Sequence, residues 1–226
     1  MIPLKDTIPS RTRPIVNYFL IIITCVVFYL QMTAGVRDNF LVDRYAFIPK
    51  ELYLFLIGDI YSLKPFQRIF TSIFLHGGLL HLIGNMLYLY IFGDNVEDRL
   101  GHFKYLIFYI ISGLVAAFFH YLFNPLSSIP TLGASGAVAG VMGAYFIFFP
   151  RSRVLTLIPI FIFFQIIEIP AFFFLLFWFL MQLMYGSASL FAGIQNIAWW
   201  AHIGGFVFGI VVAILFNVLR LLRKGY

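Results

Sequence analysis

The segment TLGASGAVAGVMGA, residues 131–144, is a long run of small residues in a chain otherwise rich in large apolar side chains. Within it one hydroxyl side chain, Ser135, lies between Gly133 and Gly136. Small residues let two helices pack closely, so the segment alone indicates a helix-packing face. A polar side chain at membrane depth indicates a functional site instead. The side chains that other segments could bring to Ser135 decide between the two interpretations.

The composition is that of a polytopic membrane protein. Of 226 residues, 62% are hydrophobic and 11% are charged, and a soluble domain of this size cannot bury so much apolar surface. The formal charge of +6 follows membrane orientation, so we expect no nucleic-acid partner. The single cysteine, Cys25, lies in the first apolar run, which excludes an intrachain disulfide. No Cys/His spacing fits a structural zinc site, and we expect neither a metal nor a cofactor.

The apolar runs predict an all-α fold, a six-helix transmembrane bundle in a single domain. Its helices are expected at about 15–32, 79–92, 105–123, 133–149, 170–185 and 197–222, between an N-terminal tail (1–14) and a C-terminal tail (223–226). A basic start followed by an apolar run also fits a signal peptide. The length of the run and the lack of a clear cleavage signature favour a retained first helix.

The connections between the predicted helices differ in character. Residues 33–75 form a long first loop, in which we expect short helices lying in the membrane interface. Residues 93–104 and 186–196 are polar enough to predict loops. Residues 154–167 are apolar and are expected to be re-entrant or interfacial, with Glu168 at a boundary near water.

The basic residues predict the orientation of the chain. With six spans both termini lie on one side, and that side carries ten of the 15 Lys and Arg residues: Lys5, Arg11, Arg13, Arg99, Lys104, Arg151, Arg153, Arg220, Arg223 and Lys224. The positive-inside rule therefore predicts that both termini are cytoplasmic.

Counting along the fourth helix gives Ser135 a depth. The helix leaves the membrane at Pro150, and the 15 steps from Ser135 span about 22 Å at about 1.5 Å per residue. The hydrocarbon core is about 30 Å thick, so Ser135 is expected roughly 8 Å below the outer boundary. Irregular backbone at that depth must border protein or water. The sequence therefore predicts a submerged aqueous pocket, into which the unpaired N–H groups of the helix start point.

A histidine on the sixth helix is the candidate partner of Ser135. In WWAHIGGFVFG, His202 lies three residues before Gly205, and Gly205 and Gly209 form a small face. A similar face, Gly136 and Gly140, follows Ser135, so a close crossing would bring the imidazole to the hydroxyl. His202 alone would be interpreted as a hydrogen-bonded core histidine. Together the two side chains indicate a Ser–His dyad, and no intramembrane acid is available to make it a triad.

Other polar and aromatic residues are predicted near the same pocket. His81 and Asn85 are four residues apart, hence on one face of the second helix, and could donate hydrogen bonds to an oxyanion. Hydrogen bonding between helices is their alternative role. Trp199 and Trp200 fit an outer aromatic belt, or they line the pocket.

Three motifs resemble the rhomboid intramembrane serine proteases. HGGLLHLIGN (76–85), GASG (133–136) and AHIGG (201–205) occur in that family's order on the second, fourth and sixth helices, and the likeness covers about residues 15–222. The resemblance implies that Ser135 is the nucleophile and His202 the general base. It also implies that His81, Asn85 and the Ser135 backbone N–H form the oxyanion hole.

The resemblance extends to a structural residue and also shows two departures. It implies that Glu97, in the turn after the second helix, is a structural hydrogen-bonding group. Where the family often has Trp-Arg in the first loop, this chain has Gln67-Arg68. Where some members stack an aromatic side chain on the histidine, this chain has Ala139. Another group, either a neighbouring aromatic side chain or the close helix contact, is therefore expected to orient His202.

The predicted function is that of an intramembrane serine endopeptidase, a monomer in the bacterial cell (inner) membrane whose partners are transmembrane protein substrates and the lipid bilayer. Gly84, which faces outward near the site, and the phenylalanine-rich fifth helix suggest lateral substrate access between the second and fifth helices. One alternative is a proteolytically inactive relative that acts as a membrane chaperone or trafficking factor; such proteins typically lack the serine or the histidine. A small transporter is a further alternative, disfavoured by the lack of inverted repeats.

Overall fold

The computed structural model describes residues 1–34, 40–160, 163–192 and 197–224. Parts of the first loop (Arg37 and Asp38 among them), the 186–196 connection and the C-terminal tail therefore lie outside the described residues. The elements in chain order are β1 (Ile2–Asp6), α1 (Ile15–Thr33), α2 (Phe40–Tyr45), α3 (Pro49–Leu56), α4 (Lys64–Ser72), α5 (Leu79–Leu100), α6 (His102–Phe123), α7 (Ser135–Phe148), β2 (Arg153–Ile160), β3 (Phe163–Pro170), α8 (Ala171–Ala192) and α9 (Trp199–Lys224).

The long helices form a bundle around α7, which packs against α5, α6, α8 and α9. In the described part of the chain, α1, α6, α8 and α9 are long and apolar enough to cross a membrane, while α7 is apolar but shorter. The prediction of a mostly helical, multi-pass membrane fold is confirmed. We call the end that holds the N-terminal segment and the end of α9 the basic end, and the end where α7 begins the site end.

Two helices are longer than the sequence predicts. The region 93–104, predicted as a loop, is helical up to Leu100, and α6 begins immediately afterwards at His102. Two of its polar residues, Asn95 and Glu97, are buried in the bundle and do not face water. Gly101 ends α5 with a φ of +82°, a conformation that favours glycine. Likewise α8 continues to Ala192, beyond the predicted end near residue 185.

Glu97 caps the N-terminus of α1. Its two carboxylate oxygens accept hydrogen bonds from the backbone N–H groups of Val16 (3.0 Å) and Asn17 (2.7 Å), and it also bonds His102. The first N–H groups of a helix have no partner within the helix, so a carboxylate there satisfies them and opposes the helix dipole. The structural role that the resemblance implies for Glu97 is confirmed.

The first loop contains the expected short helices, α2, α3 and α4, and Arg68 joins them. Its guanidinium donates to the carbonyl oxygens of Asp43 (2.7 Å) and Arg44 (3.1 Å) and pairs with Glu51 at 2.7 Å. One side chain thus connects α4 to both α2 and α3. The arginine of the Gln67-Arg68 pair therefore holds the loop in one arrangement.

The glycine faces of α7 and α9 meet, as their spacing predicts. A Cβ built on Gly205 would collide with the Gly136 carbonyl oxygen, and one on Gly209 with the Gly140 carbonyl oxygen. On the other side of α7, a Cβ on Gly136 would lie 2.5 Å from the Cβ of Ala116 of α6. Backbone therefore lies against backbone between α7 and α9.

A three-stranded antiparallel sheet at the basic end was not predicted. Of residues 154–167, which were expected to be re-entrant or interfacial, 154–160 lie in β2 and 163–167 in the antiparallel β3, and the two residues between them are outside the described ranges. Part of the predicted N-terminal tail forms β1 beside β2. Hydrophobicity alone does not separate a strand from a membrane-associated helix. The β-branched and aromatic residues of this stretch favour the strand.

Asp6 of β1 links this sheet to α5 and α7 through hydrogen bonds. Its carboxylate accepts hydrogen bonds from the Asn95 side-chain amide (2.8 Å) and the Tyr145 hydroxyl (2.6 Å). Burial raises the pKa of the Asp6 carboxyl above its usual value. The N-terminal strand is therefore tied to α5 and α7.

Adding side-chain volume to the α7–α9 contact should destabilise the bundle. In Gly209→Ala, the new methyl group has only backbone atoms of α7 to meet, so we expect a loss of about 1–3 kcal/mol of unfolding free energy. Thermal unfolding in detergent measures it. The control is Gly84→Ala, whose Cβ would have no heavy atom within 4 Å. Equal stability of both variants would contradict the close contact.

Removing the carboxylate at position 97 should release the start of α1. Glu97→Ala leaves two buried backbone N–H groups without acceptors, at about 1–3 kcal/mol for each. Glu97→Gln keeps one acceptor oxygen and should lose less. Amide hydrogen exchange at Val16 and Asn17 should be faster in Glu97→Ala; unchanged exchange there would show that the cap does not stabilise α1.

Candidate active site

Backbone hydrogen bonds hold the loop that precedes Ser135. Phe47 and Thr131 exchange two of them, at 3.0 and 2.7 Å, and the N–H of Gly133 donates to the Ser72 carbonyl at 2.9 Å. Gly133 has a φ of +127°, so a side chain there would be strained. The first loop thus supports the irregular backbone that leads into α7, and Ser135 is the first residue of that helix.

Ser135 and His202 lie together. The Nε2 atom of His202 is 2.8 Å from the Oγ of Ser135, a hydrogen-bond distance. Both side chains are half-buried. Gly205 lies three residues after His202, and its contact with the Gly136 carbonyl fixes the distance between α7 and α9. The structure brings together the two residues that the sequence pairs.

Gln182 of α8 is the group that orients His202, and the sequence analysis missed it. Its Oε1 lies 2.8 Å from His202 Nδ1, and its Nε2 donates to the Trp178 carbonyl at 3.2 Å. A carbonyl only accepts, so this second bond fixes which way the amide points. Nδ1 of His202 therefore carries the proton, and Nε2 is free to accept one from Ser135.

A signal for Gln182 was available in the sequence. It is the only polar side chain in the run AFFFLLFWFLMQLMY, residues 171–185, apart from a terminal tyrosine and a tryptophan. A polar side chain at such a depth indicates a partner.

His81 and Asn85 flank the start of α7 from α5. A Cβ on Gly133 would lie 2.8 Å from Cε1 of His81 and 3.7 Å from Nδ2 of Asn85, so both side chains lie against this glycine. The Asn85 amide is 2.9 Å from Nε2 of the buried His76, which occupies one of its two hydrogens. Its second hydrogen remains for another acceptor.

His76 is itself held by a side chain of α1. The Gln31 amide donates to the His76 carbonyl at 2.7 Å, and its Oε1 accepts the His76 N–H at 3.1 Å. Gln31 thus fixes His76, and His76 fixes Asn85. This relay connects α1 to the site, and the sequence analysis did not include Gln31.

A cavity of about 640 Å³ contains the predicted site residues with one exception. Ser135, His202, His81, Asn85, Gly84 and Trp199 all line it. Trp200 is not among its lining residues, because its ring stacks on Phe123 with centroids 3.6 Å apart. Trp199 lies edge-on to the His202 ring with centroids 6.0 Å apart. Of the two tryptophans, only Trp199 belongs to the pocket.

The contact between α5 and α8 is uneven along the bundle. Toward the basic end, Phe174 packs against Tyr88 and Phe92, with ring centroids 6.4 and 6.2 Å apart. Toward the site end, Gly84 faces open space and lines the cavity. The two helices therefore meet below the site and leave room beside it.

Comparisons with known proteins point to one family. The family model described as "Rhomboid domain" matches residues 64–218. The chain is 32% identical over 132 residues to "Rhomboid protease GluP" of Bacillus subtilis (strain 168), which covers 58% of this chain and 24% of that protein. It is 33% identical over 99 residues to "Rhomboid-like protease 3" of Toxoplasma gondii, covering 42% of this chain and 37% of that one.

A third relative comes from a mitochondrial setting. The chain is 32% identical over 110 residues to "Rhomboid protein 1, mitochondrial" of Saccharomyces cerevisiae (strain ATCC 204508 / S288c), covering 47% of this chain and 31% of that protein. The chain thus spans between 24% and 37% of the length of these three relatives.

Proposed function

The chain belongs to the rhomboid family, and we propose that it is an intramembrane serine endopeptidase that cleaves transmembrane segments of other membrane proteins. The observation that carries the proposal is the 2.8 Å contact between Ser135 Oγ and His202 Nε2 in a cavity at the site end. Protease names among the relatives support the reaction class. The residue roles rest on the geometry of this chain.

The proposed reaction forms and then hydrolyses an acyl-enzyme. His202 Nε2 takes the Ser135 hydroxyl proton while Oγ attacks the scissile carbonyl carbon. The tetrahedral intermediate collapses, the C–N bond breaks, and the imidazolium gives its proton to the leaving amine. Water then loses a proton to His202 and attacks the acyl carbon, which frees the serine and the carboxylate product.

Oxyanion stabilisation is assigned to His81, Asn85 and the Ser135 backbone N–H. Ser135 is the first residue of α7, and the N–H groups of a helix's first turn have no partner within the helix. Asn85 contributes the amide hydrogen that His76 does not occupy. Removing one such donor from an enzyme typically lowers kcat by about 10²–10³.

Gln182 acts in this proposal as a positioning residue. It holds the Nδ1–H tautomer of His202, the form in which Nε2 is a base. In a Ser–His–Asp triad the acid has this role and also stabilises the imidazolium. A neutral amide supplies the orientation without the charge, so the arrangement remains a dyad with an orienting amide.

The cavity also suggests how a substrate reaches the dyad. A helical substrate hides its carbonyls in its own hydrogen bonds and must unwind locally before attack. We therefore expect preferred substrates to carry small or helix-weakening residues near the cleaved bond. The opening beside Gly84 supports lateral access between α5 and α8.

The orientation of the chain in the membrane, its oligomeric state and its location are also part of the proposal. The basic end, with the N-terminal segment and the sheet, is assigned to the cytoplasmic side by the positive-inside rule. The site end then faces outward. A complete dyad within one chain requires no second copy, which supports a monomer. Placement in a bacterial inner membrane is part of the same proposal.

Removing either member of the dyad should abolish cleavage. Purified protein incubated with a generic transmembrane substrate should release fragments, and Ser135→Ala and His202→Ala should lower kcat at least about 10³-fold. Ser187→Ala, an exposed serine on α8, serves as the control. Retained cleavage in either dyad variant would overturn the mechanism. Absence of cleavage and of fluorophosphonate labelling of Ser135 in the wild type would favour the inactive relative.

Replacing Gln182 should lower kcat without changing KM. Gln182→Leu leaves the Nδ1–H of His202 without an acceptor, at a cost of about 1–3 kcal/mol, or about 5- to 150-fold in rate. Gln182→Glu retains an acceptor oxygen and should restore part of the activity. Steady-state kinetics on a transmembrane substrate provide the test. A change in KM alone would assign Gln182 to substrate binding instead.

A further inference from the structure

A second cavity, of about 590 Å³, lies at the basic end of the bundle. It is enclosed by the N-terminal segment and the ends of α5, α6 and α9. None of its lining residues lines the cavity that contains Ser135. The catalytic proposal therefore gives this cavity no role.

Positive charge dominates its walls. Five cationic side chains line it: Arg11, Arg99, Lys104, Arg220 and Arg223. The one carboxylate among the described lining residues, Asp98, accepts hydrogen bonds from the N–H (3.0 Å) and the hydroxyl (2.7 Å) of Thr12. None of the five cations makes an ion pair with a carboxylate in the described ranges. The described cavity lining therefore has five positive charges and one negative charge, and none of the five cations is held by a carboxylate among the described residues.

Arg99 is the deepest of these cations. Its guanidinium donates to the Asn217 side-chain oxygen at 3.1 Å and lies 5.5 Å from the centre of the Phe148 ring. Its Nε is buried and has no hydrogen-bond partner among the described residues. Arg220 and Arg11 are its like-charged neighbours. A partly buried cation with an unused donor and cationic neighbours is a site for an anion.

The cavity also has an apolar wall. Lys104 lies over the Phe216 ring at 5.9 Å, and Phe149 and Leu219 complete this side. Leu219 is 57% exposed, and the neighbouring Leu222 is 61% exposed, on the outer surface of α9. The apolar wall therefore continues onto a helix surface that faces lipid. A ligand with a charged head and an apolar remainder fits both parts.

We propose that this cavity binds the phosphate-bearing headgroup of an anionic phospholipid, with Arg99, Arg220 and Lys104 around the phosphate and the acyl chains along α9. Guanidinium groups match phosphate oxygens in geometry, and basic pockets between transmembrane helices are suited to anionic headgroups. A free phosphate ion carries the same kind of charge but has no apolar part that could contact the apolar wall. Bound lipid would neutralise the cations that meet where α5, α6 and α9 end, independently of proteolysis.

Lipid titration of two triple variants tests the site. In the lining variant Arg11→Gln/Lys104→Gln/Arg220→Gln, three cations of the cavity are removed. In the matched variant Arg13→Gln/Arg151→Gln/Arg153→Gln, three cations at the same end but outside the cavity are removed. Native mass spectrometry of the full chain in detergent measures binding of phosphatidylglycerol and of phosphatidylcholine.

The wild type and the matched variant should prefer phosphatidylglycerol by about tenfold, and the lining variant should lose that preference. Phosphatidylglycerol should raise the thermal unfolding temperature of the first two only. If both triple variants lost the preference for phosphatidylglycerol equally, binding would depend on overall positive charge and not on this cavity, and the proposal would be wrong. Displacement of the lipid by millimolar inorganic phosphate would assign the cavity to a soluble anion. If the lining variant fails to fold in phosphatidylcholine, Arg220→Gln alone, on an exposed residue, provides the same comparison.

Discussion

The contact between the backbones of α7 and α9 is the constraint on which the rest of the structure depends. Gly205 and Gly209 lie against carbonyl oxygens of α7, at a separation that leaves no room for a Cβ. Because Ser135 directly precedes Gly136 and His202 lies three residues before Gly205, this contact sets the distance between their reactive atoms. A Cβ on Gly205 or Gly209 would collide with a backbone oxygen of α7, so a methyl group there would push the helices apart and weaken the hydrogen bond between Ser135 and His202. The small residues of 131–144 are thus both a packing face and the means by which the dyad is assembled.

The dyad was predicted from the sequence, whereas Gln182 stands out there as a polar side chain without any sign that it contacts His202. Ser135 and His202 each lie beside a pair of glycines four residues apart, so their depth and face follow from helical periodicity. Gln182 lies on a third helix without such a face, and its distance from His202 depends on how α8 packs. The His76–Gln31 relay is similar, because it joins the first loop to α1 across 45 positions of the chain. Sequence periodicity shows which residues share one face of a helix. It does not show which face a neighbouring helix turns toward them.

The fold was predicted best where apolar runs are long and worst where polar residues are buried. Residues 93–104 have the composition of a loop, yet Glu97 is fully buried as the cap of α1 and Asn95 bonds Asp6. The hairpin of β2 and β3 presents the opposite problem. Its hydrophobicity matches that of a membrane segment, and the pairing of β2 with β1 and β3 distinguishes it. The composition of a segment indicates only whether most of its residues prefer water or an apolar environment. The structure of these segments depends instead on individual contacts, such as those of Glu97 with α1 and of β2 with β1.

The two ends of the bundle use polar groups differently, and the difference bears on function. At the basic end, Glu97 and Asp6 are buried and bind groups on neighbouring elements. At the site end, Ser135 and His202 are half-buried and border a cavity. The aromatic contact of Phe174 with α5 lies on the basic side of that cavity. The proposed lateral access between α5 and α8 would use the end beside Gly84, where that glycine faces open space. The backbone contact of α7 with α9 would keep Ser135 and His202 together while a substrate segment enters.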